Sequence, residues 1–139
     1  MGRILALDVG SVRIGVAVSD PLGVFAQGIA VLPAEGPWLR RLSALVESYA
    51  VDRLLVGMPL RTSGKEGPEA RRMEDVVAML RERFPQLVLE TEDERFTTVI
   101  AHQAMREGEA SRSDRRQKVD SVAAALLLQG YLDRQRRWR

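Results

Sequence analysis

The chain has 139 residues and a formal net charge of +2, with no cysteine and a single histidine. That length fits one domain, residues 1–139, with a real hydrophobic core. Disulfides and thiolate metal sites are excluded, and no run of about 18 apolar residues could span a membrane. No basic segment followed by an apolar stretch opens the chain, so no signal peptide is expected and a reducing cytoplasm is the simplest location.

Residues 3–20 open the pattern. Ile4 to Leu7 is a short apolar run of the kind that forms a strand buried on both faces. Asp8 closes it, Gly10 and Ser11 supply a turn, and Ile14, Val16 and Val18 alternate with smaller residues in a second strand. Residues 24–33 predict a third strand, ended by Pro33. Three strands so closely spaced should form an antiparallel meander. Gly36-Pro37 opens a helix to about Ala50, with Leu39, Leu42, Leu45, Val46 and Tyr49 on one face. Arg53 to Gly57 is a fourth strand.

Residues 58–67 have turn chemistry and no apolar period, so a loop is expected there. Pro68 starts a second helix with a buried stripe of Met73, Val76, Val77, Leu80 and Phe84. Leu87 to Thr91 is a fifth strand, running into Glu92-Asp93-Glu94-Arg95. Thr97 or Thr98 can cap a third helix to about Glu107. A last helix is expected from about Asp114, its N-cap, to Asp133. The order β-β-β-α-β-α-β-α-α predicts an α/β fold: three antiparallel strands, then two crossover units parallel to the first strand.

In such a sheet, sites form outside the carboxyl ends of the parallel strands. Asp8, residues 57–65 and the pair Asp93 and Glu94 all fall at that edge. The last helix adds Asp120 within a stretch that is apolar almost all round, Val119 to Leu128. The helix dipole has mostly faded two turns in, so a carboxylate there needs another cation: Lys118 or a metal. The bland alternatives are a turn aspartate at position 8 that caps its own backbone and a helix-start charge at position 120. Acids from distant positions, without cysteine, suit an oxygen-seeking cation such as Mg²⁺ or Mn²⁺ and do not suit zinc. Two such ions would activate water for phosphodiester cleavage.

Charge distribution points toward an anionic partner. Of the 21 basic residues only Lys65 and Lys118 are lysine, and arginine grips phosphate through a planar fork. Residues 111–139 carry eight basic side chains against Asp114, Asp120 and Asp133, about +5 by formal count, so the remainder is negative. A solvated tail is the alternative. Trp138 among arginines could stack on a base, or the end could fray. His102, set among Val99, Ile100 and Ala101, reads as a packed helix residue. Gly57 to Lys65 has the wrong spacing for a Walker loop, and Gly10 to Gly15 leads into a strand rather than a helix, so neither is a nucleotide fingerprint.

Four motifs in order carry a resemblance: Leu7-Asp8-Val9-Gly10 through Arg13, Gly15 and Asp20; Val56-Gly57-Met58-Pro59-Leu60; Asp93-Glu94-Arg95-Phe96-Thr97-Thr98; and Lys118-Val119-Asp120-Ser121. Together they resemble the YqgF/RuvX family of Holliday-junction-resolvase-like proteins, also described as pre-16S rRNA nucleases. The likeness covers essentially the whole chain. It implies an RNase H-like fold and a nuclease of structured RNA or branched DNA that uses two Mg²⁺ or Mn²⁺ ions. It further implies that Asp8, Glu94 and Asp120 are the catalytic, metal-binding acids, with Asp93 in reserve. Arg13, Arg61, Lys65, Arg95, Arg115, Arg116 and Lys118 are the expected nucleic-acid contacts. Junction resolution needs two symmetric cuts and hence a homodimer, but no residue marks a dimer face. Two other readings stay open: an RNase H-like domain that binds nucleic acid or ribosomal particles without catalysis, and a fragment of an actin/sugar-kinase-like ATPase.

Overall fold

The computed structural model describes residues 2–58, 68–93 and 112–137, with side chains described over 2–58, 71–92 and 121–135. Five strands form one sheet: β1 (Arg3–Val9), β2 (Arg13–Ser19), β3 (Ala26–Pro33), β4 (Val51–Met58) and β5 (Val88–Asp93). The spatial order is β3-β2-β1-β4-β5. β1 pairs antiparallel with β2, and β2 with β3. β4 lies parallel to β1, and β5 parallel to β4. The meander and the parallel crossovers are thus as expected. The helices are α1 (Trp38–Ser48), α2 (Pro68–Arg83) and α3 (Arg112–Arg137).

Alternation along the strands gives the sheet two apolar faces. Leu5, Leu7, Val9, Ile14, Val16 and Val18 turn toward the side of α1 and α2. There they meet Leu42 and Val46 of α1 and Met73, Val76, Leu80 and Phe84, the expected helical stripes. Ala6, Ala17 and Leu55 turn to the other side and pack on Ala124, Leu127, Leu128, Tyr131 and Leu132 of α3. A further cluster of Ala123 with Val122 and Leu126 lies apart from that seam. The apolar stretch of the last helix thus has a buried residue, Ala123, outside the cluster that seats it on the sheet.

Several boundaries move, each for a local reason. β3 begins at Ala26 instead of residue 24, because the Asp20 carboxylate takes the backbone N–H groups of Val24 (2.7 Å) and Phe25 (2.9 Å) into a turn. Pro37 is the N-cap of α1, one residue before the helix. α1 stops at Ser48, and Ala50 takes a left-handed φ of 52° ahead of β4. α3 begins at Arg112, so Asp114 lies in the first turn rather than at the cap, where a negative charge still favours the helix dipole. The loop expected at 59–67 and the helix expected from Thr97 to Glu107, including His102, lie outside the described residues.

Candidate functional site

Asp8 occupies the last turn of pleat in β1, directly opposite Gly15 of β2. Its parity is that of Ile4 and Ala6, so its side chain projects from the face that α3 covers. The carboxylate is part-buried, and no described residue binds it. A turn-capping aspartate would hold neighbouring N–H groups, as Asp20 does. Instead the β1–β2 turn closes without Asp8: the N–H of Gly10 donates to the carbonyl of Arg13 at 2.8 Å. From the opposite face, Nη1 of Arg72 in α2 donates to the Gly10 carbonyl at 3.2 Å, fixing the backbone just beyond Asp8.

The strand register lays out what flanks this carboxylate. The last β1–β4 pair is Leu7 with Val56, so Gly57 falls beside Asp8 in the next step. Gly57 in turn pairs with Glu92 of β5. Asp8 therefore stands between two glycines, both of them buried. Glu92 lies two strands away, about 10 Å at ordinary strand spacing. Arg134 of α3 forms an ion pair with Glu92, which puts Glu92 on the α3 face as well. Glu90 is on that face too, accepting a hydrogen bond from Arg53 Nη1 at 3.1 Å. Arg13, at the start of β2, shares the face by alternation with Gly15 and Ala17.

α3 runs opposite to β1 across this face. Short of its midpoint, Ser121 lies against Gly28 of β3. Further on, Gln129 donates to the carbonyl of Val24 (2.8 Å) and accepts from the N–H of Ala26 (2.9 Å). Tyr131 then receives a 2.7 Å hydrogen bond from Arg53. Burial and the bond to Glu90 push the Tyr131 phenol above its ordinary range. Asp120, one residue before Ser121, is thus carried by the half of α3 nearest the carboxyl end of β1.

The other expected site residues fall as follows. Arg115, Arg116 and Lys118 belong to the first half of α3, and Asp93 closes β5. Their side chains, and that of Asp120, are outside the described set. Arg61, Lys65, Glu94 and Arg95 lie outside the described residues altogether. Among the described residues no group of three or more acidic, histidine or cysteine side chains is close enough to hold a metal. Among them, too, no helix is long and apolar enough to cross a membrane.

Asp20 lies at the opposite sheet edge, where it builds the β2–β3 turn. Hydrogen bonds from the N–H groups of Phe25 and Val24 hold its carboxyl below the usual range. A cavity of about 300 Å³, with Ile4, Ser19, Arg53 and Leu132 in its walls, opens beside that turn, away from Asp8. Sequence reasoning missed Arg72, Gly28 and the Arg53–Tyr131–Glu90 group. A glycine inside a strand was a usable signal for close approach at Gly28; the other two had none.

A mixed sheet of three antiparallel strands followed by parallel β4 and β5, with helices on both faces, is the RNase H-like fold. Solved structures agree across nearly the full length. The fowlpox virus resolvase bound to Holliday junction DNA has a TM-score of 0.58 at 14% identity, covering 96% of this chain and 98% of that one. T. thermophilus RuvC with a Holliday junction substrate scores 0.51 at 15% identity, covering 97% and 96%. The chain belongs to the RuvX family, described as Holliday junction resolvase, whose model matches residues 2–134. A Streptococcus suis protein named "Putative pre-16S rRNA nuclease" is 43% identical over 137 residues, 95% of this chain and 98% of its own length. A Pelotomaculum thermopropionicum protein of the same name is 42% identical over 140 residues, 99% and 90%.

Proposed function

We propose that this protein is a metal-dependent endonuclease that hydrolyses phosphodiester bonds in structured nucleic acid, with the 5′ region of precursor 16S rRNA as the favoured substrate. The observation that carries the reading is the placement of Asp8: a part-buried carboxylate without a described partner, at the carboxyl end of β1, on the face covered by the helix that bears Asp120. A structural carboxylate in that setting would be hydrogen-bonded. The preference for RNA rests on relatives at 42–43% identity that carry the pre-16S rRNA name. The resolvases match at 14–15% and bear on the fold alone.

The donor set fits a hard cation. Asp8 offers oxygen, and its cross-strand neighbours Gly15 and Gly57 carry no side chain that would compete for its carboxylate. Asp8, Glu94 and Asp120 would hold Mg²⁺ or Mn²⁺, with Asp93 in reserve. Such ions supply Lewis acidity and a water activated for attack. Glu90 and Glu92 alternate onto the α3 face ahead of Glu94, which supports choosing Glu94 over Asp93. Arg13 and the basic first half of α3, Arg115, Arg116 and Lys118, would neutralise phosphates, as would Arg61, Lys65 and Arg95. Binding should therefore weaken steeply with salt.

The test sets precursor 16S rRNA against a four-way DNA junction, with Mg²⁺ or Mn²⁺, for the native protein and Asp8→Asn. Native cleavage that drops at least about 10³-fold in Asp8→Asn, with nucleic-acid binding and thermal stability retained, is the expected result. Undiminished cleavage by Asp8→Asn would refute the assignment. Junction cleavage without rRNA cleavage would move the substrate to branched DNA.

A further inference from the structure

We propose that Gly28, on an edge strand remote from the reacting groups, is a positioning residue that sets how closely the Asp120-bearing half of α3 seats on the sheet. The inference rests on the nuclease reading above. Gly28 sits inside β3, beside the register shift that separates its pairing with Ala17 from that of Ala30 with Val16, but its φ is not in the left-handed region, so backbone conformation alone does not call for glycine there. Space does. A Cβ at this position would overlap Ser121 Oγ and lie 3.0 Å from the Ser121 carbonyl oxygen and 3.3 Å from Ser121 Cβ. Rotating the hydroxyl would relieve the first contact alone. The carbonyl is helix backbone, and only movement of α3 relieves that contact.

The consequence is directional. Gly28 pairs with Ala17, and Ala17 with Ala6, so the row beneath this end of the helix carries almost no side-chain bulk. On β4 the same row ends in Leu55. α3 is therefore close to the sheet over β3, β2 and β1, and Asp8 projects one step further along that face. Ser121 is the contact point and Asp120 the residue before it. A side chain at position 28 would lift that turn of helix away from Asp8, while the distant seam at Leu128, Tyr131 and Leu132 stayed packed. Small displacements matter here: an acid misplaced by about 1 Å can cost on the order of 100-fold in rate.

The experiment uses Gly28→Ala, Gly28→Val, the pair Gly28→Ala with Ser121→Gly, and Asp120→Asn. All are assayed on precursor 16S rRNA below their unfolding temperatures, with Mn²⁺ affinity measured by calorimetry. Gly28→Ala should lower kcat about tenfold and Gly28→Val about 100-fold, with KM for the RNA within about twofold and Mn²⁺ affinity reduced in parallel. Adding Ser121→Gly removes the Oγ and Cβ contacts and leaves the carbonyl one, so it should restore part of the loss in Gly28→Ala. If Gly28→Val does not fold, Gly28→Ala and its rescue decide the matter. Native kcat and Mn²⁺ affinity in a folded Gly28 variant would overturn the proposal, provided Asp120→Asn is inactive. Cleavage that survives Asp120→Asn would instead overturn the site assignment on which it rests.

Discussion

Replacing Leu128 with alanine tests whether the sheet face beneath α3 holds that helix as described. Leu128 is fully buried in the cluster that joins Ala6, Ala17 and Leu55 of the sheet to Ala124, Leu127, Tyr131 and Leu132 of its own helix. Two of the three buried sheet residues in that cluster are alanines, too short to swing into the space a leucine leaves. The site should collapse poorly, which places the cost in the upper part of the measured range for buried leucine, about 3–5 kcal/mol. For a chain of this size that corresponds to a fall in Tm of roughly 10–20 °C. Urea unfolding should show a lower midpoint with an unchanged slope, since the surface exposed on unfolding is the same. Met79→Ala, at a residue 39% exposed on α2, serves as the control and should cost under about 1 kcal/mol. A loss below about 1 kcal/mol in Leu128→Ala would refute the packing that places Asp120 over the sheet.

Further outcomes follow from the polar contacts. Tyr131→Phe removes one of the two acceptors of Arg53, leaving Glu90, and should cost about 1 kcal/mol at neutral pH, discounted because Arg53 is partly solvated. Because the folded phenol titrates above its unfolded value, native stability is fully present below about pH 10 and falls as the pH rises further. Tyr131→Phe should flatten that alkaline limb in thermal melts, and an unaltered limb would contradict the assignment. Asp20 is the opposite case. Its folded carboxyl titrates below its unfolded value, so its contribution is present above about pH 4 and is lost as the pH falls through the folded value. Asp20→Asn keeps an oxygen for the Val24 and Phe25 N–H groups and should lose less stability on acidification than the native chain.

Much of the fold can be read from residue spacing because the sheet separates its faces so cleanly. Leu5, Leu7 and Val9 alternate against Ala6 and Asp8, and the stripes Leu42–Val46 and Met73–Leu80 recur at helical spacing. Asp8 was recognisable because a charge interrupts an apolar strand at its carboxyl end. The start of β3 moved for a local reason: the Asp20 carboxylate takes the N–H groups of Val24 and Phe25. The rest of what escaped depends on partners remote in sequence. Gly28 is glycine because Ser121, more than ninety positions later, presses on it. Arg72 clasps Gly10 across sixty-two residues. Single-strand patterns register burial, whereas these contacts are set only once α2 and α3 dock. For the same reason, sequence alone could place Asp120 on a buried helix but could not fix its distance from Asp8.

The central claim is that acids separated by more than a hundred positions share one cation site. A crystal soaked in Mn²⁺ and measured at the manganese absorption edge tests it most directly. The account requires anomalous density within about 2.2 Å of carboxylate oxygens from both Asp8 and Asp120. Manganese bound elsewhere with those two side chains turned apart, or no site at all at saturating Mn²⁺, would contradict it.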